Sequence, residues 1–181
     1  IGKRLMKGLL DSGLPAEFVD RVFKQVQGFS EYGFPESHAA SFALLAYVSS
    51  YLKCHHPAEF TCALINSQPM GFYANHTLID EVKRQGVEVF ALHPNLSQWD
   101  CRLERGGIRI GWRVVNGLSE SECASLIRER EAGGDFKDLG DFIYRVRLRP
   151  QALEALAMGE AFACFGLSQR QSLWDILAYR S

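Results

Sequence analysis

Glu31-Tyr32-Gly33-Phe34-Pro35-Glu36-Ser37-His38-Ala39-Ala40-Ser41-Phe42-Ala43 is a glycine-proline loop that runs straight into a long apolar helical pattern. A helix start leaves backbone N–H groups free and carries the positive end of the dipole, so it can receive a phosphate. Ser37 is read as the cap of this helix. His38 can donate to an anion and changes charge near neutral pH. Tyr32 offers a flat ring for stacking on a base. The three together suit a nucleoside triphosphate, and an ordinary structural cap is the competing reading. The helix expected over about 37–54 is apolar nearly all round, through Phe42, Leu45, Tyr47, Val48 and Leu52. Such a helix is expected to be buried on most faces, as a rigid spine.

Before this stretch, Pro15 and the helical spacing of Phe18, Val19, Val22, Phe23 and Val26 predict a helix up to Gly28. After it, Pro57 opens a helix ending near Asn66-Ser67, and Asn75 is read as the cap of another, ending at Gly86. Cys54, His55 and His56 are metal-ligand types, but three adjacent residues cannot all face one ion and no fourth ligand is evident. No metal site is assigned.

The texture changes after residue 86. Val87–Phe90 reads as a short strand. Trp99, Cys101 and Leu103, then Ile108, Ile110 and Trp112, alternate about Gly106-Gly107, which is a hairpin signal. From Val114 the pattern is helical again. Ser119 with Glu122 matches a capping box for a helix over about 121–131, and Ser168 with Gln171 matches a second. Shorter helices are predicted over about 138–146, 150–157 and 168–179, with Leu173, Trp174, Ile176 and Leu177 turned to the core. A glycine turn at a helix head presents N–H groups outward and can hold a DNA phosphate without reading sequence. Arg113, Asn116, Gly117 and Ser119 are therefore candidate DNA contacts, with Arg128 and Arg130 as nearby charge. An ordinary capped helix with solvated arginines remains the alternative. Gln171-Ser172-Leu173-Trp174 has the composition of a clamp-binding peptide, but within a helix it is read as core.

The fold class predicted is mainly α: a helical part over 1–85, a β-rich connector over 86–112, and a second helical part over 113–181. With 181 residues and 47% hydrophobic composition, a sizeable core is expected. A net charge of −1 excludes a general DNA-coating protein, so nucleic-acid contact must be local. Five scattered cysteines without a CxxC pair suit reduced core thiols of a cytoplasmic protein better than a disulfide framework. There is no membrane-spanning run, P-loop or nucleophile elbow, and no carboxylate cluster for two Mg²⁺ ions. Because the chain starts inside a helical pattern without Met, it is read as a piece of a larger protein.

Tyr32-Gly33-Phe34-Pro35-Glu36-Ser37-His38-Ala39-Ala40-Ser41-Phe42-Ala43 and Tyr51-Leu52-Lys53-Cys54-His55-His56-Pro57-Ala58-Glu59-Phe60 resemble bacterial family C DNA polymerases, the α subunits of DNA polymerase III and their relatives. Asn66-Ser67-Gln68-Pro69-Met70-Gly71-Phe72-Tyr73 narrows the resemblance to the error-prone, damage-tolerant branch. It continues through Val87-Glu88-Val89, Trp99-Asp100-Cys101 and Gly117-Leu118-Ser119 to about Trp174. The resemblance implies a translesion polymerase in which residues 1–85 end the fingers and 113–181 form a helix-hairpin-helix region. It places Tyr32 by the base or sugar of the incoming dNTP, and Ser37 and His38 at its triphosphate. It implies primer-template DNA as partner, Mg²⁺ held by carboxylates outside this chain, and contacts with a sliding clamp or damage-response proteins. The fragment alone is expected not to polymerise. The rival reading is a non-catalytic DNA-binding or clamp- and accessory-protein docking module. Replicative members usually carry Asn-Lys where this chain has Pro35-Glu36, which removes a cation beside the triphosphate and stiffens the loop. Ser119 stands where such a hairpin usually has a second glycine.

Overall fold

The computed structural model describes residues 2–31, 35–69 and 73–179. Among these the chain is mainly helical, with one small sheet, and it divides into two compact units, Ile1–Ser50 and Tyr51–Ser181.

In the first unit, α1 (Gly2–Asp11) and α2 (Ala16–Glu31) pack on each other. Gly13, at φ +80°, turns the chain between them, a conformation that costs glycine little. Val19 is the buried centre of α2, while Phe18 and Val26 remain exposed. Helix α3 (Pro35–His55) runs on through residue 50. It starts two residues before the expected cap, with Pro35 at its first position and Ser37 already its third residue. The expectation that α3 is buried on most faces does not hold. Phe42 is 57% and Tyr47 69% exposed, and Leu44, Leu45 and Val48 are exposed as well. Among the described residues of the first unit, the extensive helix contact is that of α1 with α2, and it does not take in α3.

The second unit holds one contiguous core reaching from Ala58 to Ile176. Pro57 starts α4 (Pro57–Asn66), whose Ala58, Thr61, Cys62 and Ile65 are buried. Helix α4 packs on α5 (Asn75–Arg84) and on the sheet. Asn75 is the first helical residue of α5 and Ala74 takes the cap position, so Asn75 is not the cap expected from sequence. The sheet has strand order β1 (Val89–Phe90), β3 (Gly107–Arg109), β2 (Arg102–Glu104). Strand β1 runs parallel to β3, with Val89 opposite Ile108. Strands β2 and β3 form the expected hairpin, with Leu103 opposite Ile108. Arg105 and Gly106 both have positive φ, at 51° and 79°, as a two-residue turn with the twist of its strands requires. Gly107 is needed for a second reason: a Cβ there would run into the Glu88 carbonyl.

Four helices complete this unit: α6 (Glu120–Gly133), α7 (Leu139–Val146), α8 (Pro150–Met158) and α9 (Gln169–Ala178). Helices α6 and α7 pack together, as do α8 and α9. Phe142 contacts Phe136 and Phe162 edge-on, with ring centroids 5.0 and 5.2 Å apart. Asp138 caps α7 by accepting from the Asp141 N–H at 2.8 Å, a cap rather than a metal ligand. Ile176 is fully buried, but Trp174 is 61% exposed and Leu177 is exposed too, so those two do not join the core as expected. They border a surface hollow together with Met158 at the end of α8, and helical spacing alone does not separate this exposed side of α9 from its buried one.

Candidate functional site

The chain enters α6 through Trp112–Val114, a short 3-10 turn anchored by the fully buried Trp112. The Trp112 indole donates to the Ser97 carbonyl at 3.1 Å. Its backbone N–H donates to the Gln98 carbonyl at 2.9 Å. The chain then turns at Gly117, φ +94°, where a side chain would be strained. Ser119 follows as the α6 cap. Its hydroxyl accepts from the Glu122 N–H at 3.3 Å, while the Glu122 carboxylate accepts from the Ser119 N–H at 2.9 Å. This is the capping box expected from sequence. The N–H groups of Glu120 and Ser121, in the first turn of α6, have no acceptor within the helix itself. The turn is tied back to Trp112 through the backbone, the Trp112 carbonyl accepting from the Val115 N–H at 2.9 Å and the Val115 carbonyl from the Leu118 N–H at 3.3 Å.

Of the residues expected to touch DNA, Gly117 and Ser119 form this turn and Asn116 is exposed beside it. Arg113 is anchored: its guanidinium pairs with Asp100 at 2.6 Å and donates to the Gln68 carbonyl at 3.2 Å. Arg128 is exposed on α6. Arg130 is buried and donates from Nη1 to the carbonyls of Pro94 and Ser97, at 3.1 and 2.9 Å. It is therefore a structural clamp rather than free charge. Burial pushes its pKa down from the usual arginine value.

The nucleotide-side residues are less fully described. Tyr32 lies outside the described residues, and Ser37 is placed as part of α3 by its backbone alone. His38 is exposed in the first turn of α3, its ring centroid 4.5 Å from that of Phe42. No group of three or more His, Cys, Asp or Glu side chains able to hold a metal occurs among the described residues. Among them, too, no helix is long and apolar enough to cross a membrane.

The sequence reading missed Arg149. It stands at the cap position of α8, yet its guanidinium reaches the Gly117 turn, 32 residues earlier. No local pattern marks such a contact, and only the approach of α8 to α6 creates it. A second kinship was visible only in part. Gly166-Leu167-Ser168 repeats Gly117-Leu118-Ser119, again with glycine at positive φ after a 3-10 turn and serine capping the next helix. The second box is half made: Ser168 accepts from the Gln171 N–H, but the Gln171 side chain donates to Asp175 at 2.8 Å.

Residues 86–172, which include the Gly117 turn, match the family described as helix-hairpin-helix motif. The chain is 43% identical, over 96% of its length, to an error-prone DNA polymerase of Methylococcus capsulatus, of which it covers 19%. It is 43% identical over 96% of its length to one of Ruegeria pomeroyi, covering 16% of that protein. It is 45% identical over 95% of its length to one of Hahella chejuensis, covering 17%. The chain thus spans less than a fifth of the length of these curated relatives, and the resemblance carried by the loop motifs extends over nearly all of it.

Proposed function

We propose that this chain, similar throughout to one segment of the error-prone DNA polymerases, serves such an enzyme by joining the end of its fingers to a helix-hairpin-helix element that holds duplex DNA. The observation that carries the reading is the Gly117–Ser119 turn, built at positive φ onto the head of α6 inside the helix-hairpin-helix match. Backbone N–H groups at such a turn bind phosphate without regard to base sequence. That suits a polymerase that must hold any duplex, damaged or not.

In this reading residues 1–85 end the fingers, 86–112 form the connector and 113–181 form the DNA-holding region. Gly117, Ser119 and Asn116 face a backbone phosphate, with Arg113 beside them. Tyr32 packs by the base or sugar of an incoming dNTP, and Ser37 and His38 face its triphosphate. His38 would stabilise charge developing there, a supporting role in chemistry driven by positioning and metal electrostatics. The whole enzyme, cytoplasmic and bacterial, would extend primers across lesions. Its Mg²⁺ would be held by carboxylates outside this chain, so the chain alone would bind without polymerising. Pro35-Glu36, in place of the Asn-Lys of replicative relatives, would loosen selection of the nucleotide.

The test is titration of labelled primer-template DNA into the chain at two salt concentrations. Salt-sensitive binding abolished by Gly117→Asp is the expected result, because a carboxylate would then meet the phosphate. Affinity unchanged by Gly117→Asp would remove the turn as a DNA site. A second reading, a docking surface for a clamp or accessory protein, is favoured by the outer side of α9. There Trp174, Leu177, Leu173 and Met158 border a surface hollow of about 210 Å³. Association with a clamp that is insensitive to salt and lost in Trp174→Ala would support it.

A further inference from the structure

The Gly117 turn carries its own anion. Glu122 closes the capping box with a carboxylate that is 19% exposed and lies where a phosphate would approach the head of α6. Arg149 and the Ser119 N–H and hydroxyl all donate to it, and Arg149 above all holds it down to a pKa of about 2. It is therefore charged throughout the neutral range. An unpaired carboxylate at the mouth of a phosphate site would repel the ligand.

One edge of the Arg149 guanidinium answers this. Its Nε donates to Glu122 Oε1 at 2.8 Å, and its Nη2 to Glu122 Oε2 at 3.3 Å. The same Nη2 donates to the Gly117 carbonyl at 2.5 Å. One planar fork thus engages both the carboxylate and the peptide that sets the turn, a geometry that a lysine ammonium does not reproduce. Pro150 starts α8 directly after Arg149, so the backbone from which the fork projects is held by a helix start.

We propose that Arg149 is the positioning residue of the Gly117 turn: it pins the Gly117 carbonyl and cancels the charge of Glu122, so that the N–H groups at the head of α6 meet a DNA phosphate without repulsion from the capping-box carboxylate, Glu120 being the one acid left in the first turn of α6. This deepens the DNA-holding reading and rests on it. Arg149 acts through Gly117 and Glu122, and the phosphate is left to the backbone.

The experiment titrates duplex DNA into the 181-residue chain at two salt concentrations and compares Arg149→Ala, Arg149→Lys, and Arg149→Ala combined with Glu122→Gln. Thermal unfolding is followed for each. Arg149→Ala is expected to weaken binding about tenfold, the size of a lost charge-assisted hydrogen bond. Arg149→Lys is expected to weaken it several-fold, because charge without the fork does not restore the turn. Adding Glu122→Gln to Arg149→Ala should recover most of the affinity, because the exposed anion is gone. A merely architectural tie between α8 and α6 would lower the melting temperature without that recovery, and this result overturns the proposal. So does a direct phosphate contact, which Arg149→Lys would preserve and whose loss would flatten the salt dependence by about one phosphate. Parent-like binding by Arg149→Ala overturns it too. Gly117→Asp separates the levels: if it leaves affinity intact, the DNA-holding reading falls and the inference with it. If it abolishes binding while Arg149→Ala does not, the inference alone falls.

Discussion

The Asn66 side chain and the Cys101 backbone bond to each other twice, Nδ2 donating to the Cys101 carbonyl and Oδ1 accepting from the Cys101 N–H, both at 2.8 Å. A side-chain amide here does the work of a neighbouring strand. Asn95 does the same for Phe136, at 2.9 and 2.8 Å. The first pair joins two of the stretches that carried the family resemblance, Asn66-Ser67-Gln68 and Trp99-Asp100-Cys101. Arg113 ties them again, through Asp100 and the Gln68 carbonyl. Part of that resemblance is therefore architectural.

Asn66→Ala should destabilise the second unit by about 2 kcal/mol, because it leaves the N–H and the carbonyl of buried Cys101 without their partner. Asn66→Asp should also destabilise, since a carboxylate accepts from the N–H but offers nothing to the carbonyl. Urea unfolding, read as a lower midpoint at unchanged slope, checks both.

Two glycines should respond differently to alanine. At Gly111 a Cβ would collide with the Trp99–Cys101 backbone, which has little room to yield, so Gly111→Ala should cost about 3 kcal/mol. At Gly117 the nearest atom to a new Cβ is that of Ala155, at 3.9 Å, so space is available and only the positive φ resists. Gly117→Ala should cost about 1 kcal/mol. The same unfolding measurement ranks them.

Stability should fall in acid partly through Glu122. Its folded-state pKa of about 2 lies below the usual carboxylate value of 4.5, so its contribution is complete above about pH 4.5 and is lost as pH falls towards 2. Glu104, held down by Arg109, and Asp141, held down by the Lys137 N–H and by Arg145, act with the same sign. Glu122→Gln should be less stable than the parent at neutral pH, and the difference should shrink through that acid window. Unfolding curves at stepped pH would show the convergence.

The thiols should react in two classes. Burial pushes Cys62 up to about 11 and Cys123 up to about 12, and it raises Cys101 as well. Native protein treated with iodoacetamide at mildly alkaline pH should be modified at exposed Cys54, and more slowly at Cys164, whose thiol is also raised. The other three should react only after unfolding, as peptide mass spectrometry would register.

What was legible in the sequence was local. The β2–β3 hairpin, the Pro57 and Pro150 helix starts and the Ser119 cap depend on neighbours within four residues, and the structure has them, the hairpin turn falling at Arg105-Gly106, one residue before the Gly106-Gly107 of the pattern. The misreadings came from tertiary partners. Arg130 and Arg149 look alike as charged helix-end residues, yet one is buried on loop carbonyls and the other holds a turn. Helix α3 has the composition of a buried helix, but composition cannot say what would cover it. Of the nucleotide-side residues, Tyr32 lies outside the described residues, while His38 stands in the first turn of α3, near the helix start at which the sequence pattern puts it.

The Arg130 clamp has a consequence for the order of events on the ribosome. The chain around Pro94–Ser97 is synthesised more than thirty residues ahead of the guanidinium that gathers its carbonyls. The Trp112 indole arrives sooner, but it engages only Ser97. Until α6 has left the exit tunnel, this loop lacks the Arg130 tie, and the Asn95 pairing with Phe136 comes later still, so the sheet beside it stays open to wrong partners. A nascent chain stalled just before Arg130 should be cleaved by protease between residues 91 and 101, and one stalled well beyond α6 should not.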